Sequence, residues 1–155
     1  MKPHHEIFKM FAKQVSPLGF TQLKTTWWER RKDLILQKIH IHKFSFTTSF
    51  RVHAALHLVG FGKDVDWLNG MSSHDGWYEK KIMGLPISRY DFKYTESSAS
   101  WPHAADNLFE FTKEVLVPWF ERWSDFDRLK SAADSPLDGE QKAFLAQSEN
   151  ISKIN

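Results

Sequence analysis

From Phe44 to Leu58 the chain alternates. Phe44, Phe46, Thr48, Phe50, Val52, Ala54, Leu56 and Leu58 fall on one side, and Ser45, Thr47, Ser49, Arg51, His53, Ala55 and His57 on the other. Successive side chains of a strand point to opposite faces, so this period of two predicts a half-buried strand with one core face and one polar face. Its fifteen positions exceed the usual strand length, which predicts a bend near Thr48 or an end near Ala54. A second alternation, Leu34 to His42, sets Ile35, Ile39 and Ile41 against Lys38, His40 and His42. A tight connection near Lys43 is expected to join the two as antiparallel neighbours. Thr21 to Arg30 is rich in β-formers and reads as a further strand, in which the adjacent Trp27 and Trp28 must face opposite ways.

Helical spacing appears toward both ends. Ile7, Phe8, Phe11 and Val15 form an apolar stripe, predicting a helix over 4–15 that Gly19 stops. A longer helix is predicted from Trp101 to Arg122, with Leu108, Thr112, Val115, Leu116, Trp119 and Trp123 on one face. Pro102 suits its first turn, whereas Pro118 removes an interior backbone bond and predicts a kink near Glu114. A second helical piece is expected over 124–133, then a short helix from Ser135 to about Ser148, with 151–155 frayed. Between strands and helices, Lys63 to Gly84 carries little pattern. A helical turn is expected at Val65, Trp67 and Leu68, and a short edge strand at Trp77–Ile82. Tyr90, Phe92 and Tyr94 alternate with Asp91, Lys93 and Thr95, predicting the last strand. Together these elements predict an α+β fold: a curved antiparallel β-sheet of about five strands with two main helices packed on its apolar face. Residues 1–133 are expected to form a single domain, and 134–155 a short C-terminal helix and frayed tail.

Composition narrows the function classes. The chain of 155 residues is long enough for one real core. Its 21 basic and 19 acidic residues nearly balance, so no nucleic-acid partner is implied. The outward side of the 44–58 strand also lacks the rings that stack bases. The Arg30–Lys32 cluster is flanked by Glu29 and Asp33 and reads as a solvated turn. There is no cysteine, which excludes disulfides, thiolate metal ligands and cysteine nucleophiles. No stretch approaches the ~20 apolar residues of a membrane span, and the N-terminus lacks an apolar signal core. No membrane partner is therefore expected, and a cytoplasmic location is. Aromatic content is high, at 15% of residues. Phe109, Phe111, Trp119, Phe120 and Trp123 are more rings than one helix face can hide, and their surplus is a candidate surface for a protein partner.

The histidines are the main candidate chemistry. His40 and His42 share one strand face, and His53 and His57 share another, so the four are a candidate metal set. Lys38 and Arg51 lie on the same faces and would repel a cation. Arg51, His53, His57 and Lys38 thus make an alternative ligand-binding set, and a plain row of polar residues is the simpler reading of both. His74-Asp75 has the composition of an acid–base pair, but Gly76 follows it and a turn is the better assignment. Ser72 and Ser73 lack a G-x-S-x-G context, and Gly60-Phe61-Gly62-Lys63 is not a phosphate loop. No catalytic residue is assigned and no cofactor is expected.

The order of elements carries a resemblance. A helix runs into Leu18-Gly19-Phe20, a strand follows with Trp27, Trp28 and Arg30, and the next strand contains Gln37-Lys38. Over residues 5 to 60, with a looser match in the aromatic helix after Trp101, this resembles DUF4304-type domains of unknown function. The resemblance implies no catalytic residue. The function expected is that of a small bacterial-type, non-enzymatic protein-interaction module, of an immunity-like kind. The alternative is a ligand- or metal-binding domain, an enzyme included, using the His- and Arg-bearing sheet face.

Overall fold

In the computed structural model, residues 2–62 and 69–154 are described. The first helix, α1 (Pro3–Val15), buries Ile7, Phe8, Phe11 and Val15, the stripe its sequence spacing predicts. Phe8 and Phe11 meet the fully buried Trp28 edge-on, with centroids at 5.6 and 4.9 Å. The single strand expected over 21–30 is instead a hairpin of β1 (Thr21–Lys24) and β2 (Trp27–Lys32). Thr25 and Thr26 form its turn, closed by Gln22 Nε2 donating to the Thr25 carbonyl at 3.2 Å. Trp28 then enters the core while Trp27 takes the opposite face, as adjacent strand residues must. Arg30 does not lie in a solvated turn. It sits on the core face of β2, donating to Gln37 Oε1 at 2.7 Å and to the Leu18 carbonyl at 2.9 Å, with its guanidinium over Phe20.

The next two strands, β3 (Ile35–Lys43) and β4 (Phe50–Leu58), are antiparallel in unbroken register from Ile35 opposite Leu58 to Lys43 opposite Phe50. The expected start of the strand at Phe44 is therefore corrected. Residues 44–49 form a six-residue loop in place of a tight turn, and Phe46 in it is 96% exposed. Hydroxyl side chains there bond locally, Thr47 to Ser49 at 2.9 Å, which competes with ladder pairing. From Phe50 onward the alternation holds. Phe50, Val52, Ala54, Leu56 and Leu58 are buried in the core.

The sheet runs β1-β2-β3-β4. The outer edge of β4 is covered by residues 69–76. Ala54 N–H donates to Met71, Ser73 N–H to Val52, and Gly76 N–H to Phe50, each at 2.8 Å. Asn69 extends this pairing with a side chain. Its Oδ1 accepts from Leu56 N–H at 2.9 Å, and its Nδ2 donates to the Leu56 carbonyl at 2.8 Å. The chain then forms a second, two-stranded sheet of β5 (Trp77–Ile82) and β6 (Leu85–Asp91). Tyr90, Phe92 and Tyr94 are buried on one side, as their alternation predicts, although β6 begins earlier and ends at Asp91. The helical turn expected at Val65, Trp67 and Leu68 lies outside the described residues.

Pro118 interrupts the long helix as expected. Between α2 (Trp101–Phe111) and α3 (Val117–Arg122), residues Thr112–Leu116 form a π-helical turn, and Val117 N–H reaches back to the Thr112 carbonyl. Pro118 has no N–H for the Glu114 carbonyl four residues back. Lys80 Nζ of β5 donates to that carbonyl at 3.3 Å, and the Tyr90 hydroxyl donates to Glu114 Oε1 at 3.1 Å. The helix defect is thus where the second hairpin docks. Two further helices follow, α4 (Phe126–Ser131) and α5 (Gly139–Ile154), the latter longer than the expected helix ending near Ser148. Leu129, Leu137 and Leu145 join the same buried cluster as the sheet and α1. The fold is α+β, with an antiparallel sheet whose apolar face shares one buried core with α1 and α2. No helix among the described residues is long and apolar enough to cross a membrane.

Candidate functional site

Register decides which of the candidate residues meet. β2, β3 and β4 place Trp27 opposite His40, and His40 opposite His53. The three rings form a row on the face away from α1. Trp27 and His40 centroids are 4.5 Å apart, and the His40 and His53 rings stack at 5.7 Å. His53 Nδ1 shares a 2.6 Å hydrogen bond with Ser72 Oγ on the covering segment. His42 faces Arg51 across the strands, packs edge-on against Phe44 at 4.7 Å and stays exposed. His57 lies opposite Leu36, four positions beyond His53, so roughly 13 Å along the strand at about 3.3 Å per residue. The four histidines therefore do not converge. His40, His42 and His53 lie near one another, yet among the described residues no group of three His, Asp or Glu is arranged to hold a metal.

The charges on this face are paired. Arg51 donates to Asp75 through both Nε and a terminal nitrogen. Lys38 sits 3.5 Å from Glu29 of β2. Both carboxylates come from outside the strands that carry the cations, which is why spacing within one strand did not reveal them. Asp75 is thereby separated from its neighbour His74, whose ring stacks on Trp77 at 4.2 Å. The adjacent pair does not act together.

Burial keeps the histidine row neutral. His53 is pushed down to about 4, first by burial and then by His40, Arg51 and His42, with Asp75 opposing. His40 is lowered by burial and by His42. A neutral His53 beside Ser72 has the outline of a base and a nucleophile. Its lowered basicity makes it a poor proton acceptor, and among the described residues no carboxylate bonds its ring to orient it. The face reads as a closed polar layer.

Exposed apolar surface lies elsewhere. On α2 and α3, Phe111, Phe120 and Trp123 are buried, and Phe109 and Trp119 are half-buried against the core. The tip of the β5–β6 hairpin is different: Met83 is 96% exposed, Leu85 69%, and Ile82 and Ile87 are exposed as well. Met83 and Gly84 form the turn with φ of 53° and 79°, positive at both central positions as a type I′ hairpin turn requires. Glycine tolerates that conformation, and methionine adopts it at a cost. Lys81 stands just behind the tip, and farther back Arg89 stacks on Trp77 at 4.5 Å and pairs with Glu79 at 3.9 Å. The signal in the sequence was Ile82-Met83-Gly84-Leu85-Pro86-Ile87, an apolar run placed at turn residues, where polar ones are usual. Comparison of the chain with family models, with curated proteins and with solved structures finds no match.

Proposed function

We propose that this protein is a non-enzymatic interaction module that docks a protein partner with the tip of its β5–β6 hairpin. The observation that carries this reading is the set of four exposed apolar side chains, Ile82, Met83, Leu85 and Ile87, in and beside one hairpin turn. Single exposed apolar residues are ordinary, whereas a contiguous set marks a contact surface. A methionine held at positive φ adds to the argument, because strain kept at an exposed turn points to use of that side chain. Lys81 behind the tip suits a partner groove with an acidic rim, whereas Arg89 is paired with Glu79 at 3.9 Å. The sheet face supports ligand binding less well, since Arg51, Lys38 and His53 already have protein partners there.

The test compares the full chain with a Leu85→Ser, Ile87→Ser variant in co-purification. Both side chains are exposed, so the variant keeps its core and its melting temperature. The wild type is expected to retain a stable partner that the variant loses. Equal recovery from both, or none from either, overturns the reading.

A further inference from the structure

A cavity of about 550 Å³ lies where the start of α1 meets the 44–48 loop and Tyr94. Its size is that of a small-molecule site. Three features of its lining point to an anion. The first is the end of α1. Its N-cap, Lys2, makes no side-chain capping bond, and Pro3 follows with no N–H. The His4 N–H lies in the first turn, where no helical carbonyl reaches it, so the positive end of the helix is uncapped.

The second feature is charge. Lys2 and Lys43 both line the cavity, and among the described residues neither forms an ion pair. The Lys43 ammonium donates to the Phe44 carbonyl at 3.2 Å and keeps its charge uncompensated. Among the described residues, Glu96 is the one carboxylate in the lining, on the side where Tyr94 stands. His4 is lowered to about 4 by burial, then by His5, Lys43 and Lys2, so the charges that shift it among the described residues are cations.

The third feature is independent of the helix. Tyr94 is only 4% exposed, with its ring stacked on Phe50 at 5.0 Å, yet its hydroxyl makes no hydrogen bond among the described residues. The hydroxyl itself is not buried: it opens at the cavity, where its O–H is free to meet a ligand. Here the ring is fixed in the core and the group left over is at the cavity.

We infer that this cavity binds the phosphate group of a small phosphomonoester. Lys2 and Lys43 supply the charge, and the Tyr94 hydroxyl and the His4 N–H supply the directed donors. A phosphate dianion has enough oxygens to take these donors together, and lysines meet it as point charges. The Thr48 side chain on the cavity wall adds a hydroxyl for the same group. Protonation of His4 then couples to binding. An anion beside it offsets the repulsion of Lys2, Lys43 and His5, so the ligand raises the His4 pKa.

The probes are inorganic phosphate and glycerol 3-phosphate, added to the full chain at constant ionic strength and followed by amide and histidine NMR shifts. Saturable shifts are expected at His4, Lys43 and Tyr94, with the His4 titration moved upward. Tyr94→Phe keeps the ring in the core and is expected to weaken binding about tenfold. Lys43→Met is expected to do the same, while Glu96→Gln tightens binding. Vesicles of phosphatidic acid in phosphatidylcholine separate a lipid headgroup from a free phosphate. Sedimentation of the protein with them, abolished by Lys43→Met, assigns the same chemistry to a lipid. Shifts that do not saturate, or that survive both Tyr94→Phe and Lys43→Met, mean an adventitious ion only and overturn the inference.

Discussion

At Gly70 a side chain has no room. A Cβ there would stand 2.2 Å from the Ala54 carbonyl oxygen and 2.5 Å from the Trp119 ring. Both obstacles are fixed, one in the β4 ladder and the other in α3. Gly70→Ala must therefore push the covering segment off the sheet edge, stripping the Asn69 and Met71 bonds beside it. A loss of about 1–3 kcal/mol is expected in urea unfolding, in the range of overpacked sites. A loss below about 0.5 kcal/mol would show that the segment packs less closely than this. Nothing in the sequence around Gly70 announced that role. Close approach of two segments far apart in the chain leaves no periodic trace. The same holds for Asn69, whose amide mimics a backbone pair, and for Asp75 opposite Arg51. By contrast, the opposite facing of Trp27 and Trp28 was legible, because it follows from strand geometry alone.

At the scale of elements, alternation was reliable where both faces have a destination and misleading where they have none. Phe50–Leu58 lies between a core and a polar layer, and its apolar side survives position by position, while His53 and Ala55 on the other side are buried as well. The same parity carried through 44–49 means nothing, because no partner strand remains once Lys43 has met Phe50. Thr21–Lys32 shows the converse, a run of β-formers in which the turn at Thr25-Thr26 has no glycine or proline to mark it. The β5–β6 hairpin separates stability from function. Asn-Gly is the favoured type I′ pair, so Met83→Asn relieves the positive φ of Met83. The variant is expected to be more stable by about 0.5–1 kcal/mol, since asparagine occupies that region with less strain. It also removes the most exposed apolar side chain of the tip, so partner recovery falls as the melting temperature rises. A variant that gains stability and keeps full recovery would remove Met83 from the docking surface.

At the scale of the whole molecule, the polar layer on β3 and β4 makes the fold acid-sensitive. His53 lies 6% exposed between His40 and Ser72, with its pKa held at about 4 against the usual 6.5. The folded state therefore resists a proton that the unfolded chain accepts. Between those two values the unfolded state binds more protons, so stability falls as pH drops from 6.5 toward 4 and is fully present above 6.5. For His53 alone the linkage amounts to about 2 kcal/mol between neutral pH and pH 5, at about 1.4 kcal/mol per pKa unit. His40 is lowered in the same direction and adds to the slope. The ladder itself does not titrate, so the loss should trace to the ring row and not to the sheet's hydrogen bonds. His53→Gln keeps a neutral polar side chain beside Ser72 at every pH. Its stability at neutral pH is expected to be lower, through lost stacking on His40, while its decline on acidification is shallower by about the His53 share. Urea unfolding of both proteins across this pH range measures the two slopes directly. Parallel slopes would place the acid sensitivity outside the histidine row, and a shallower slope in the variant would locate it in the polar layer that the alternating strands create.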